Sequence, residues 1–530
     1  MERVFDNNRI KTYTRICDSF FFLGILLVLF PNFGKSRIPR FLFPFFCFDG
    51  VLSVYPFSFF SVMVIIWLFL KKEYKKLLFI VASCGIYCLC NLIVTWHGLG
   101  MIIENVTEYD ISMLDGSRLG FFNLVSNIFS SAAVSTKLIV SEGIFAIYSG
   151  ITYYKDIFLV AILICFFYLD RPEIVKKLFI AGVISTFLVV CIYEIIEIPF
   201  LFGNETSITV LKMINPFFYD VFQNGSWWPP LVLSTPVIRS VFCEQSFFGY
   251  YLGLITILFI YQLLNKRKKV VWGILLFLSY LFAFLTDSRS AIMLVIGGTV
   301  FFCFVFFIKE KRITSILIVF LVLALAFVGN EFLRVIVNYR ADYRAIEMEK
   351  TDSSTIETIN SVFSSTARSN TSRYGYFFAS LNVGIKNPIL GVGQSYIGPY
   401  ISEELLEEGS INRELEVWME NQNEAGILNS CYPSFNQYTT SFATGGIIGL
   451  LMDFWGMGLI VVFYLYYIVK NGIKKLKSYS LMLLSLLAVV AAWGFSNNFT
   501  TNYLYVIILG IGFLDIISCH KVFKEVEINE

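Results

Sequence analysis

The sequence predicts an all-α protein that crosses a membrane many times, and three observations lead to this fold class. Of the 530 residues, 57% are hydrophobic and only 15% are charged, whereas soluble domains carry roughly 25% charged residues. Several apolar runs approach the ~20 residues with which a helix crosses the hydrocarbon core of a bilayer. The alternation typical of a β-barrel is absent, so backbone polar groups in lipid must be satisfied within helices.

The apolar runs predict about 12 transmembrane helices. They lie at about 14–31, 50–70, 77–96, 152–170, 177–198, 245–264, 270–286, 289–308, 313–330, 446–470, 478–495 and 501–518. Residues 1–330 would form an N-terminal membrane region with nine helices, and 446–530 a C-terminal region with three. Between helices 9 and 10 the sequence predicts a large, partly helical periplasmic loop, 331–445.

Lysines and arginines predict which helix ends face the cytoplasm. The short connections 71–76, 171–177, 266–269, 309–312 and 470–477 are basic and all fall on one face. Basic short loops favour the cytoplasmic side, so both termini are expected there as well. The long connections on the opposite face are 32–49, 97–151, 199–244 and 331–445.

The moderately apolar segment 119–139 bears on this orientation. If it were a full crossing, the basic connection 171–177 would lie on the outer face. We therefore expect 119–139 to be an interfacial or re-entrant piece rather than a thirteenth span.

The long loop separates its charges along the chain. Residues 358–402 contain Arg368, Arg373 and Lys386 but no acidic residue, whereas 403–424 hold eight glutamates and one arginine. A cationic segment at a membrane surface suggests a site for an anionic headgroup. The glutamate-rich piece is expected to form an amphipathic helix, which is either a lid over that site or an ordinary solvated face.

Two further polar stretches occur at the outer ends of predicted spans. Glu244 lies at the lip of the sixth span, where partial desolvation favours a general base; pairing with Arg239 as an interfacial anchor is the alternative. At the start of the eighth span, Asp287 or Ser288 can cap the helix and leave free N–H groups beside Arg289. That arrangement suits phosphate oxygens, although a capped arginine that reaches towards the interface is the simpler interpretation.

Arg368 and Arg373 belong to the cationic part of the loop. An arginine fork can grip a diphosphate with two parallel hydrogen bonds. Residues 371–372 are expected to cap a helix that runs to about 382, which would place Arg373 in its first turn. The pair Gly391 and Gly393 is a weak phosphate-loop signal and more often marks a turn.

Metal and cofactor sites are not indicated by the sequence. His97 and His520 are far apart, and most of the 11 cysteines fall in apolar runs, where they act as small hydrophobic residues. We therefore expect no metal site and no cofactor. The net charge of +2, without a basic soluble domain, gives no indication of nucleic acid binding.

These stretches together resemble the O-antigen polymerase and O-antigen ligase superfamily of bacterial inner membranes. The similarity lies in Arg239 to Ser246, in Ser288 to Ala291, and in Arg373 followed by Asn-Pro-Ile-Leu-Gly-Val-Gly at 387–393. It continues in Asn436 and the glycines that lead into the tenth span. The topology, with one large periplasmic loop late in the chain, is also similar.

The resemblance implies transfer of a glycan from undecaprenyl diphosphate to the non-reducing end of a lipid-linked repeat unit. Glu244 would accept the proton of the sugar hydroxyl, while Arg289 and Arg373 would stabilise the diphosphate that leaves. The implied substrate-binding residues are Arg239, Ser288, Arg368 and Asn436. Undecaprenyl-diphosphate-linked oligosaccharides and membrane lipid are the implied partners, together with a chain-length regulator protein.

One departure from the superfamily pattern favours a polymerase of the Wzy type. Ligases typically have a histidine directly before the asparagine of the last motif, and this chain has Phe435 there. The alternatives are an O-antigen ligase and a flippase or transporter for the lipid-linked sugar. Transporters tend to show internal repeats and midplane ionisable sites, whereas the polar stretches here gather on one outer face.

Overall fold

The computed structural model describes residues 7–30, 52–218, 237–242, 244–266, 268–344, 368–408, 412–498 and 503–529. For 7–9, 216–218, 337–344, 368–370, 408 and 520–529 it describes the backbone alone. The described residues form helices joined by turns and contain no β-strand. The predicted connection 32–49 lies outside them.

Each predicted span overlaps a described helix. The helices of the N-terminal membrane region are α1 Asn7–Leu27, α2 Val54–Leu70, α3 Tyr74–Ile102, α4 Glu108–Ser112, α5 Gly116–Ile128, α6 Val134–Tyr154, α7 Val160–Tyr168, α8 Pro172–Leu201, α9 Glu205–Phe218, α10 Gln245–Asn265, α11 Lys269–Leu285, α12 Arg289–Glu310 and α13 Ile313–Arg344. One π-helical turn, Lys155–Leu159, joins α6 to α7. The remaining helices are α14 Arg368–Lys386, α15 Ile397–Glu408, α16 Arg413–Ala425, α17 Gln437–Asn471, α18 Ser478–Gly494 and α19 Tyr503–Asn529.

Length and composition agree with a membrane location. Seven of the described helices are long and apolar enough to cross a membrane when α6 and α7 count as one, and α2, α11, α18 and the first part of α19 are shorter apolar helices. On α3, Leu78 and Val81 are each 68% exposed, which a soluble protein rarely tolerates along a whole helix face. The predicted fold class, an all-α protein with many membrane-spanning helices, is confirmed.

The basic connections meet at one end of the bundle. The Lys309 ammonium group donates a hydrogen bond to Ser478 Oγ at 3.1 Å. Lys176 Nζ lies 4.7 Å from the ring centroid of Tyr479. Connections 171–177, 309–312 and 470–477 therefore share one end, as the charge pattern predicts. The side of the membrane on which this end lies stays a prediction.

At the opposite end, residues 368–436 form a helical unit that we call the head. Its described part contains α14, α15 and α16, which pack around a core that includes Tyr376, Ile401 and Leu415. The head docks on the connection between α3 and α6 through Arg118, whose Nη1 donates hydrogen bonds to Leu428 O at 2.6 Å and to Asn429 Oδ1 at 2.9 Å. This contact places two of the predicted long connections on the same face.

The segment 119–139 is not one continuous crossing. Its first part belongs to α5, whose 13 residues are fewer than the ~20 that cross a bilayer. The chain then turns at 129–133, and α6 begins at Val134. This break is consistent with the expected interfacial or re-entrant piece.

Helix α17 doubles back at Gly446, which has φ +59 and ψ −147. In a straight helix Gln437 and Asp453 would be ~24 Å apart, yet Gln437 Nε2 donates to Asp453 Oδ2 at 3.2 Å. The rings of Tyr438 and Phe454 also stack, with centroids 4.9 Å apart. Residues 437–445 therefore form a short arm that lies beside the start of the long membrane arm.

The glycine-containing turn 387–393 is held against this bend by backbone hydrogen bonds. Val392 N–H donates to Ala443 O at 2.9 Å, and Ile447 N–H donates to Pro388 O at 2.8 Å. Gly391 has φ +61, and a Cβ there would lie 2.5 Å from Ala443 O. The glycines therefore serve close packing between the head and α17, and the weak phosphate-loop signal has a structural explanation.

Candidate active site

A cavity of about 1090 Å³ lies where the head meets the membrane helices. The turn before α10, the first half of α12, α14 and the end of α18 line it. Its polar lining residues are Arg239, Glu244, Gln245, Ser246, Asp287, Ser288, Arg289, Ser290, Arg373 and Ser496. Five of the seven sequence-predicted site residues are among them, although they come from separate parts of the chain.

The start of α12 combines a helix terminus with a guanidinium group. Ser288 is the N-cap, and its Oγ accepts a hydrogen bond from Ala291 N–H at 3.5 Å. Arg289 is the first residue of the helix. Helix N–H groups and the positive end of the helix dipole both favour an anion at such a position. This part of the cavity therefore suits phosphate oxygens.

Close packing of α10 on α12 explains why Glu244 and Arg289 share the cavity. A Cβ at Gly249 would lie only 2.2 Å from Ala291 Cβ, so the two helix starts lie side by side. Glu244 directly precedes α10 with extended backbone, and its side chain does not cap that helix. Its Oε2 accepts a hydrogen bond from Ser246 Oγ at 2.9 Å. A half-buried carboxylate in this position can accept a proton from a bound hydroxyl.

Arg239 is positioned by Glu197, a residue of α8 that the sequence analysis did not single out. The Glu197 carboxylate is fully buried and accepts hydrogen bonds from Ser240 N–H at 2.7 Å and from Arg239 N–H at 3.3 Å. Ser240 has φ +55, a conformation that non-glycine residues rarely adopt. An acidic residue inside an apolar span is a functional candidate by default, and that signal could have identified Glu197.

Arg373 projects from α14 into the same cavity as Arg289. Desolvation and the nearby positive charge of Arg289 lower the pKa of Arg373, while Glu244 and Glu414 act in the opposite direction. Arginine stays protonated at neutral pH in spite of such a shift. Because Arg289 and Arg373 line the same cavity, an anion bound between them would offset the repulsion of the two positive charges.

The expected helix start at 371–372 is wrong. Helix α14 begins at Arg368, so Arg373 lies in the second turn, away from the unpaired N–H groups. The physical reason is a competing contact, because Ser372 Oγ donates to Glu414 Oε2 at 3.0 Å and accepts from Asn412 Nδ2 at 2.8 Å. The side chain of Ser372 thus joins α14 to the start of α16 instead of capping a helix.

Phe435 supports Arg373 from the head side. The Arg373 guanidinium lies 5.3 Å from the centroid of the Phe435 ring, within the range of a cation–π contact. The rings of Trp418 and Tyr376 pack on Phe435 at 5.0 and 6.0 Å. The position that resembles the ligase histidine is therefore occupied by an aromatic residue that holds an arginine of the cavity.

The cavity continues as an apolar groove between α12 and α18. Its apolar lining residues are Met293, Leu294, Gly297, Ala488, Ala491, Ala492 and Phe495. Most of these side chains are small, and a Cβ at Gly297 would meet no atom within 4 Å. A cationic end joined to an apolar groove matches an amphiphile with an anionic headgroup.

A second acidic group of the cavity is held by a cation that the sequence analysis missed. Arg334 Nη2 on α13 lies 2.9 Å from Asp287 Oδ1. Asp287 itself has φ +51. Nothing local in the sequence links two residues 47 positions apart, so pattern reasoning had no signal for this pair.

The two remaining predicted site residues do not line the cavity among the described side chains. Arg368 is the first residue of α14, and its side chain lies outside the described residues. Asn436 is buried and caps α17, because its Oδ1 accepts hydrogen bonds from the N–H groups of Tyr438 and Thr439. Its Nδ2 donates to Phe495 O at 3.3 Å. Since Phe495 lines the groove, Asn436 contacts the site through a neighbour.

Aromatic side chains can stack on sugar rings, but two such residues of the outer loops, Tyr396 and Trp418, have packing roles. Tyr396 is fully buried, and its hydroxyl donates to Glu142 Oε2 at 2.8 Å, so it cannot stack on a sugar ring. Trp418 packs on Phe435, and Trp227 and Trp228 lie outside the described residues. Within the described ranges, no group of three or more His, Cys, Asp or Glu side chains could hold a metal ion.

Comparison with known families completes the description of the site. No curated protein matches the chain. Residues 274–454 match the family model described as O-antigen ligase. The matched region contains Ser288, Arg289 and Arg373, and it ends just after the bend of α17. The match supports a place in the O-antigen polymerase/ligase superfamily and an enzymatic role of that type, on lipid-linked polysaccharide in a membrane.

Proposed function

We propose that the protein is a polysaccharide polymerase of the Wzy type that acts on lipid-linked repeat units. The observation that carries this proposal is the shared cavity, which Arg239, Arg289 and Arg373 line together with Glu244 next to an apolar groove. The arginines would hold the diphosphate, and the groove between α12 and α18 would take the first part of the undecaprenyl chain.

The reaction follows from these positions. The hydroxyl oxygen of the acceptor sugar attacks the anomeric carbon of the donor glycan. The bond from that carbon to the diphosphate oxygen breaks, and its electron pair leaves with undecaprenyl diphosphate. The hydroxyl proton passes to Glu244. Negative charge grows on the leaving oxygen in the transition state, where Arg289 and Arg373 stabilise it.

No step in this proposal needs a metal ion, because the guanidinium groups supply the positive charge. Turnover by the purified protein in excess chelator is the direct test. Activity that disappears with chelator and returns with added Mg²⁺ would contradict the metal-independent mechanism.

Phe435 favours polymerase over ligase. Its ring packs under Arg373 and cannot exchange a proton, so proton transfer is assigned to Glu244, which lines the same cavity as Arg373. The ligase remains the second candidate because the matched family carries that description. A ligase would transfer the finished glycan to a different acceptor, such as a lipid A core.

Deletion of the gene separates these candidates. Loss of the polymerase leaves single repeat units on the cell surface, and complementation restores a ladder of long chains. Loss of every surface glycan, including single repeats, would instead indicate a ligase or a flippase. The Arg373→Ala variant should reproduce the deletion phenotype at normal membrane abundance.

We also propose that the protein lies in the bacterial inner membrane with both termini in the cytoplasm and the head in the periplasm. The clustering of basic connections at the end opposite the head supports this orientation. A topology reporter inserted at Glu420, which is exposed on α16, should report a periplasmic location. A cytoplasmic signal would reverse the orientation. Copurification would test the implied chain-length regulator.

A further inference from the structure

Helix α14 buries one face within the head. Tyr376, Ala379 and Val383 recur every three or four residues on that face and belong to the core that α14 shares with α15 and α17. Tyr376 and Ser380 also bond the hydroxyls of Thr440 and Thr439 at 3.1 and 2.7 Å. This side of α14 is therefore occupied by contacts with other helices.

The opposite face of α14 is also apolar, yet nothing in the described structure covers it. Tyr374 is 50% exposed, Phe378 49% and Ile385 61%. At 100° per residue these side chains form one stripe, about 150° from the centre of the buried face. Helices of soluble domains normally carry polar residues there.

Helix α16 of the same head shows the normal pattern. It buries Leu415 and Gln422, and its exposed positions are mostly charged or amide residues, among them Glu416, Glu420 and Glu424. The two helices belong to one folded unit but have opposite surface chemistry. The head therefore has a water-facing side and an apolar side.

The apolar stripe of α14 is continuous with the exposed face of α17. Ile389, 64% exposed, follows the end of α14, and its carbonyl accepts a hydrogen bond from Ile448 N–H. Ile447 and Leu451, 53% and 61% exposed, begin the apolar stripe of a helix that is long enough to cross a membrane. Exposed apolar residues therefore continue from the start of the membrane arm of α17 through Ile389 to α14.

The bend of α17 also sets the depth of α14. Because the short arm 437–445 lies beside Asp453 and Phe454, residues bonded to that arm lie at the level of the first turns of the membrane arm. Ser380 and Tyr376 are bonded to it. Helix α14 therefore lies beside the start of the membrane arm of α17.

We propose that the outer face of α14 is inserted in the lipid leaflet next to the head, so that α14 is an interfacial helix. The occupant of this face is phospholipid. Arg373, at one side of the stripe, then lies at the level of lipid headgroups, where a diphosphate carried by a membrane lipid would also lie. The insertion itself does not depend on the proposed enzymatic function.

Photo-crosslinking in membranes tests the insertion. We would place p-benzoylphenylalanine at Phe378 or Ile385 of the full chain, irradiate membranes from the expressing cells, and measure the intact mass of the purified protein. We expect an adduct with the mass of one phospholipid at both positions. The same amino acid at Glu420 on α16 serves as the matched control and should give no lipid adduct.

Occupants of this face other than phospholipid would give different crosslinked products. Crosslinks from both positions to a second copy of the chain or to another polypeptide would overturn the proposal. Equal lipid adducts at Phe378 and Glu420 would overturn it too, because the two faces would then not differ. Failure of the enzymatic proposal would appear in the chain-length ladder of the Arg373→Ala variant and would leave the lipid adducts unchanged.

Discussion

Arg118 and the arginines of the cavity lie on the same side of the molecule but play different roles. Arg118 is only 7% exposed and pairs with Glu142 at 3.0 Å. Its Nη1 also donates to Leu428 O and Asn429 Oδ1. Each partner belongs to a packed element, and this arginine joins the head to the membrane region.

The cavity group has fewer carboxylates than arginines in its lining. Arg239, Arg289 and Arg373 face the same volume as Glu244 and Asp287, and Asp287 is ion-paired with Arg334 from outside the lining. A positive excess beside an apolar groove suits an anionic ligand. Burial alone does not separate the two roles, because Arg239 is only 3% exposed. The cavity arginines differ from Arg118 in that they line a volume beside an apolar groove.

The largest expected effect is on stability and tests the structural role of Arg118. Arg118→Ala leaves Glu142 buried without its cation, which typically costs about 3–5 kcal/mol of stability. We expect a lower free energy of unfolding in detergent, with unchanged turnover per folded molecule. The triple variant Arg118→Met, Glu142→Leu and Tyr396→Phe removes both buried charges and the tyrosine hydroxyl together and should be less destabilised. Normal stability of Arg118→Ala would contradict the assignment.

For the arginines of the cavity we expect the opposite result, namely a loss of turnover without a loss of stability. Arg289→Ala and Arg373→Ala each remove a donor to the leaving diphosphate, which costs about 3 kcal/mol or a hundredfold in turnover. Lysine variants should recover part of the loss, because they keep the charge without the fork. Turnover of a purified lipid-linked repeat unit measures the effect, and the unfolding temperature serves as the control. Full activity in both alanine variants would remove the proposed site.

A smaller effect is expected from Glu197→Gln. The amide keeps one acceptor oxygen for the turn at Arg239 and Ser240 but loses the charge, and hydrogen bonds to charged groups are the stronger ones. We expect about a tenfold loss of turnover, or ~1.4 kcal/mol. Asp515→Asn is the control, since this buried carboxylate bonds Tyr464 at 2.9 Å and does not line the cavity. Equal losses in both variants would indicate a general folding effect.

The smallest effect concerns the groove. Gly297→Phe fills space that is open in the structure, so the fold should tolerate it while the lipid chain binds less well. We expect KM to rise about fivefold, or ~1 kcal/mol, with little change in kcat. Gly458→Phe places the same ring at another position with open space and should leave KM unaltered. A similar rise in both variants would argue against a lipid groove at α12 and α18.

The sequence predicts local features better than distant contacts. The spans follow from apolar length, and the cap at Ser288 follows from its place before an apolar run. Ser372 has the same local signature, but its hydroxyl is taken by Asn412 and Glu414, which no local pattern reveals. The support of Arg239 by Glu197 likewise depends on two segments that only the fold brings together.

The bend at Gly446 has a consequence for exchanging parts between related proteins. Residues 388–393 and 443–448 are bonded to each other along their backbones, and the short arm returns as far as Asp453. A graft that takes only one of these two segments would separate backbone groups that are hydrogen-bonded to each other. A graft should therefore transfer 387–454 together with α14, which is bonded to the same short arm. The far border of that block coincides with the end of the family match.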